Sequence, residues 1–261
     1  MTWVSLALVA FGVADLVRAR NGRMPLGSAP LAGVVTLVLL AVITGVDGVA
    51  DLVALAVSAA GLVGWVATSR RTQADGRRAW LPLGLFASLV VVLLGFSGFA
   101  SVPDGPLAGW LRWADLPWAT DVSVSRVLLL AGLVSFNLAT GNVIVRLVLL
   151  AIGALRSDQV VAAQSPSADP QPADRLKGGR LLGPMERLVI LGLGLAGEYG
   201  AASIVIAAKG LLRFPEIQAA ARTSPPPPSS RVGIDDMTEY FLVGSFVSWL
   251  VALGSLALAR G

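Results

Sequence analysis

Residues 26–69 run for 44 positions with only two charged side chains, Asp47 and Asp51. A single helix of that length would measure about 66 Å, twice the ~30 Å hydrocarbon core of a bilayer. The stretch therefore reads as two membrane helices. Their junction is Gly45-Val46-Asp47-Gly48, where an Asp-Gly pair supplies a tight turn. The whole chain has the same character. Of 261 residues, 55% are hydrophobic and 14% charged, with a mean hydropathy of +0.76. Soluble domains carry about 25% charged residues, so a water-soluble globule and a disordered chain are both excluded.

Seven apolar segments, 2–17, 29–45, 49–68, 79–101, 125–154, 182–208 and 238–259, predict an all-α polytopic bundle of about seven spans. Six is the alternative, with 182–208 re-entrant or the short first segment not spanning. That first segment has Arg18, Arg20 and Arg23 behind it rather than ahead, the reverse of a signal peptide, and is expected to stay as a helix. Basic residues set the orientation. With the N-terminus outside and the C-terminus inside, Arg18, Arg20, Arg23, Arg70, Arg71, Arg77, Arg78, Arg156, Arg175, Lys177, Arg180 and Arg260 fall inside; Arg112, Lys209, Arg213, Arg222 and Arg231 fall outside. Trp65 and Trp80 flank an inner loop and Trp3 sits at the outer start, as an aromatic belt would. The expected address is the inner (plasma) membrane.

The spans divide into a five-span part (1–155), a linker (156–180) and a two-span module (181–261). The linker is disordered by composition, and Ser224–Ser230 forms a polyproline spacer in the Pro-rich loop 214–237. Trp110 and Trp113, three apart, share one face of a short interfacial helix in the 103–122 connection. Gly12-Val-Ala-Asp-Leu-Val17 recurs as Gly48-Val-Ala-Asp-Leu-Val53. The identity ends after six residues of ordinary membrane-helix composition and reads as chance.

Composition also removes much chemistry. With no cysteine and no histidine, thiolate metal sites, cysteine nucleophiles, Ser-His-Asp triads and His-ligated haem are excluded. The net charge of +4 and pI near 10.3 come from arginines bracketing apolar runs rather than from one patch, so nucleic acid is not an expected partner. Gly95-Phe-Ser-Gly98 looks like the serine motif of rhomboid proteases but lacks a histidine base. Asp47 and Asp51 look like half the motif of phosphatidyl-alcohol transferases, without its remaining residues. The pair could share a divalent cation with Thr44, or serve a turn at a helix N-terminus; the turn is the stronger reading. No cofactor is called for.

Polar groups within the spans remain. In the fifth, a 100° step per residue puts Asn137, Thr140 and Gly141 on one side and Ser135, Asn142 and Arg146 on the other. In the sixth, Arg187, Glu198 and Lys209 recur every eleven residues along one stripe, and glycines weaken the helix around Glu198. A carboxylate at that depth needs a partner, with Asn137, Thr140 and Arg146 as candidates. Glu239 is expected to pair with Lys209 or Arg213, near Glu216, closing the last two helices.

Gly179-Arg-Leu-Leu-Gly-Pro-Met-Glu-Arg-Leu-Val-Ile190, Ala207-Ala-Lys-Gly-Leu-Leu-Arg-Phe214 and Glu239-Tyr-Phe-Leu-Val-Gly-Ser245 resemble, in order, the G-R-x-I-G-x-L-E-R, A-A-K-S-x-x-R-F and E-Y-x-L-I-G-T motifs of an uncharacterised bacterial membrane family. The resemblance covers about 80 residues and includes Arg180, Glu186, Arg187, Lys209, Arg213, Glu216 and Glu239. Members of that family open with a His-containing H-L-x-x-D-F helix that this chain lacks. The resemblance implies a shared two-helix module and no activity. The functional expectation is a non-enzymatic membrane subunit or scaffold, partnered by the bilayer and by a membrane or cytosolic protein. A small transporter or channel working around Glu198 is the alternative, and a membrane enzyme the third reading. Oligomeric state is left open.

Overall fold

The computed structural model describes residues 1–20, 27–114, 122–155, 179–209, 211 and 234–261. These residues are all-helical: α1 (Thr2–Arg20), α2 (Ser28–Thr44), α3 (Val49–Asp75), α4 (Trp80–Gly95), α5 (Pro106–Ala114), α6 (Val124–Ala151), α7 (Gly179–Leu195), α8 (Tyr199–Lys209) and α9 (Ile234–Arg260). Four helices, α1, α3, α6 and the Leu242–Arg260 part of α9, are long and apolar enough to cross a membrane; α2, α4 and α8 are shorter apolar helices. The linker 156–178 and the polyproline segment lie outside the described residues.

Where the two parts of 26–69 meet, Gly45 caps α2 in the left-handed region (φ 68°), its N–H bonded to the Ala41 and Val42 carbonyls. Asp51, at the third position of α3, accepts the Gly48 N–H and so closes one orphan donor of the helix start.

The first segment, short by sequence, is the centre of the bundle. Trp3, Val4, Leu6, Ala7, Leu8, Ala10, Phe11 and Ala14 are all buried. Small residues let the neighbouring helix come close: a Cβ on Gly12 would stand 2.7 Å from the Ser135 backbone, and one on Gly132 would stand 2.9 Å from the Ser5 carbonyl. Phe11, Trp65, Phe86 and Phe136 form a ring cluster from α1, α3, α4 and α6, with centroids 5.3–6.3 Å apart.

Contact pairs give the helix directions. Thr2 meets Ser125 and Gly12 meets Ser135, so α1 and α6 are parallel. Trp3 reaches Asp51 and Trp65 reaches Asp15, so α1 and α3 are parallel. Gly61 and Gly64 face Leu89 and Leu85, so α4 runs back. Calling the end where α1 begins the upper end, α1, α3 and α6 run downward.

The last third departs from a sixth and seventh alternating span. Asn137 faces Ser255, Gly141 faces Val251, and Gly244 faces Leu149, so α9 runs upward, opposite to α6. The expected 182–208 helix is two helices. It breaks at Gly197 (φ 84°), in a conformation that an L-residue side chain disfavours. α8 then returns alongside α7, bringing Lys209 onto Glu186. Arg187, Glu198 and Lys209 therefore do not form a stripe.

Candidate functional site: the polar centre at the α6 bulge

Five residues of α6, Phe136–Thr140, form a π-helical turn. Such i→i+5 turns widen a helix and are frequent at functional sites. On a regular helix Asn142 stands about 140° round from Asn137, the reason for placing the two on opposite faces. At the bulge both residues nonetheless reach Arg187, Asn137 through its main-chain carbonyl and Asn142 through its side chain.

Arg187 of α7 is the most deeply buried charge on this side, 1% exposed. Its Nε and Nη2 donate to the Asn137 carbonyl at 3.0 and 2.8 Å, Nη2 to Asn142 Oδ1 at 2.6 Å, and Nη1 to Ser248 Oγ at 3.0 Å. Asn137 Nδ2 donates to Ser255 Oγ at 2.9 Å and to the Leu133 carbonyl at 2.8 Å. One guanidinium thus joins α7 to α6 and α9 through neutral oxygens. Asn137 is the partner of Arg187, not of Glu198.

The α1 side of the same bulge carries a second buried charge that sequence reasoning passed over. Asp15, 2% exposed, accepts the Trp65 indole N–H at 3.1 Å and lies 3.9 Å from Arg18. Thr140 stands beside it, outside hydrogen-bond geometry. Arg18 donates to Ser69 Oγ at 2.7 Å and to Gln73 Oε1 at 3.1 Å. Among the described residues, Asp15 Oδ1, Thr140 Oγ1, Asn137 Oδ1 and Gln73 Nε2 are buried without a hydrogen-bond partner. A carboxylate inside a candidate span, with an arginine three residues on at its end, was the available signal for this site. The hexapeptide repeat pointed to Asp15 as well, but not to its role. The two aspartates of the repeat sit near opposite ends of parallel helices, each accepting an indole N–H from the other's helix.

The remaining expected residues are placed as follows. Asp51 is spent on Trp3 Nε1 (2.6 Å) and on the Ser101 and Gly48 N–H groups (3.2 and 3.1 Å), whereas Asp47 is exposed. Thr44 bonds back to its own helix. The two aspartates therefore do not converge, and the described residues contain no group of three acidic, His or Cys side chains able to hold a metal. Trp3 and Trp65 are buried donors rather than belt residues, while Trp80, Trp110 and Trp113 are exposed. Arg146 is exposed on the lower half of α6. Glu198 is exposed at the hairpin tip and meets no partner among the described residues. Lys209 is taken by Glu186; Arg213, Glu216 and the Glu239 side chain lie outside the described residues. Comparison with protein-family models, curated proteins and solved structures finds no match to this chain.

Proposed function

We propose that this protein is a non-enzymatic membrane subunit. It crosses the bilayer six times, through α1, α2, α3, α4, α6 and α9, with α7 and α8 as a hairpin re-entering from the lower side. Glu198 carries the reading. The hairpin tip lies at the last turn of α9, where Leu256 packs on Gly194 and Arg260 donates to the Gly194 carbonyl and lies over Tyr199. Ionisable groups on membrane helices face a bundle interior or a partner, yet Glu198 beside Tyr199 is exposed and has no partner among the described residues. A cationic or hydrogen-bond-donating side chain of a partner helix would satisfy it. The groups that a transport pathway would need are meanwhile committed: four of the five Arg187 N–H donors are used within the bundle.

A small transporter is the second reading, favoured by the orphaned oxygens of Asp15, Thr140 and Asn137 around the bulge. Purification from native membranes in mild detergent separates the two. A stoichiometric partner that is lost with Glu198→Ala is the expected outcome. A lone protein that conducts ions in liposomes would overturn the subunit reading in favour of transport.

A further inference from the structure

Among the described residues, the turn between α3 and α4 holds the one non-glycine residue of positive φ, Arg78 at 56°. α3 ends on Gly76, itself left-handed at φ 66°, whose N–H donates to the Thr72 carbonyl at 2.8 Å. The Arg78 carbonyl then accepts the Leu81 N–H at 2.9 Å as α4 begins. Ala79 is buried and packs with Leu150 of α6. The turn is pinned by these contacts, and Arg78 and Trp80, on either side of Ala79, are exposed. Glycine or asparagine suits such a backbone, whereas an arginine is strained in it.

A second observation is independent of the backbone. The side chains of Arg71, Arg77 and Arg78 are exposed, and none of them meets a hydrogen-bond or ion-pair partner among the described residues. Asp75, the carboxylate of the same turn, is exposed as well and pairs with none of them. The Trp80 indole and the Leu81 side chain stand exposed where the apolar helix α4 starts. Indoles favour the headgroup level of a bilayer. With α3 and α4 crossing the membrane as proposed above, this turn lies at the lower headgroup layer. Arg78 strains the fold and makes no contact within it, so its use is to something outside.

We propose that Arg71, Arg77, Arg78 and Trp80 form a contact surface for the anionic phospholipid headgroups of the lower leaflet. Basic segments beside membrane helices are drawn to acidic lipids, each charge contributing about fivefold. Guanidinium forks match the phosphate oxygens. The surface rests on the crossing of α3 and α4 and is separate from Glu198, so a partner-free protein would still bind the lipid.

Native mass spectrometry of the full chain in mild detergent tests this, with phosphatidylglycerol and phosphatidylcholine as probes. Phosphatidylglycerol should be retained more tightly, and Arg77→Gln should cut the preference about fivefold. Arg78→Gly separates binding from folding: it should cut the preference by a similar factor without lowering the unfolding midpoint, because the strain is relieved. Arg112→Gln, on α5 at the upper end, should change nothing. Equal retention of both lipids, or a preference that survives Arg77→Gln combined with Arg78→Gly, overturns the proposal. Ala74→Cys, the sole thiol of a chain without cysteine, reports on the crossing itself. Labelling of sealed membranes from one side only, together with equal retention, overturns the lipid surface and leaves the crossing intact. A thiol that reacts from neither side overturns the crossing, and the surface with it.

Discussion

Arg187 and Asp15 meet burial in different ways. Arg187 has no carboxylate within ion-pair distance among the described residues, and its charge is dispersed over four hydrogen bonds to dipoles. A planar fork can make that set of bonds; a lysine ammonium cannot. Arg187→Lys should therefore lower the unfolding midpoint in detergent, at a cost of about 2–4 kcal/mol for lost bonds to a charged group. Asp15 relies on one good donor, Trp65 Nε1, and a distant arginine. Trp65→Phe keeps most of the ring packing on Phe11 and Phe86 but removes that donor. It should destabilise by about 1–3 kcal/mol, and adding Asp15→Leu should recover part of the loss. Equal melting of Trp65→Phe and the parent would show that the indole bond contributes nothing.

Two elements, the bulge and the hairpin, decide where the charges go. At the π-turn of α6 the Asn137 main-chain carbonyl and the Asn142 side chain both reach Arg187, and no propensity in Phe136-Asn-Leu-Ala-Thr140 announces the turn. Other threonines bond back to their helices, as Thr36 and Thr68 do to Ala32 and Gly64, whereas the Thr140 hydroxyl has no such bond. The hairpin rests on Gly197 at φ 84°. Arg260 secures it by donating to the Gly194 carbonyl at 3.0 Å and lying 4.8 Å over the Tyr199 ring. A β-branched residue in that conformation costs more than the 1–2 kcal/mol of an ordinary left-handed residue. Gly197→Val should then loosen the α7–α8 hairpin, read as faster hydrogen exchange over 194–202 while α1 and α3 keep their protection. Uniform loss of protection across all helices would mean that the hairpin is not a separate element.

At the scale of the molecule, the hairpin underlies the proposed six-span topology. On that proposal, with 182–208 re-entrant, reporters fused at residues 165 and 225 should give the same signal, whereas a seven-span chain places them on opposite sides of the membrane. The apolar runs, their length and the absence of Cys and His were enough to give an all-helical chain with helices long and apolar enough to cross a membrane and without thiol or imidazole chemistry, because hydrophobic length and composition are properties of the chain alone. They also located the breakable glycine stretch around Glu198. What they could not locate was the direction of α9, the central position of α1, or the site itself. Asp15, Arg18, Trp65, Ser69 and Gln73 are ordinary residues on two helices until packing sets α1 beside α3. Arg187 finds Asn137 and Asn142 only because tertiary packing holds α6 in a π-turn and lays α7 and α9 against it. A helix's own sequence sets which residues share its regular face; which faces meet, and at what depth a charge must find a donor or acceptor, is settled by the neighbours it is packed against.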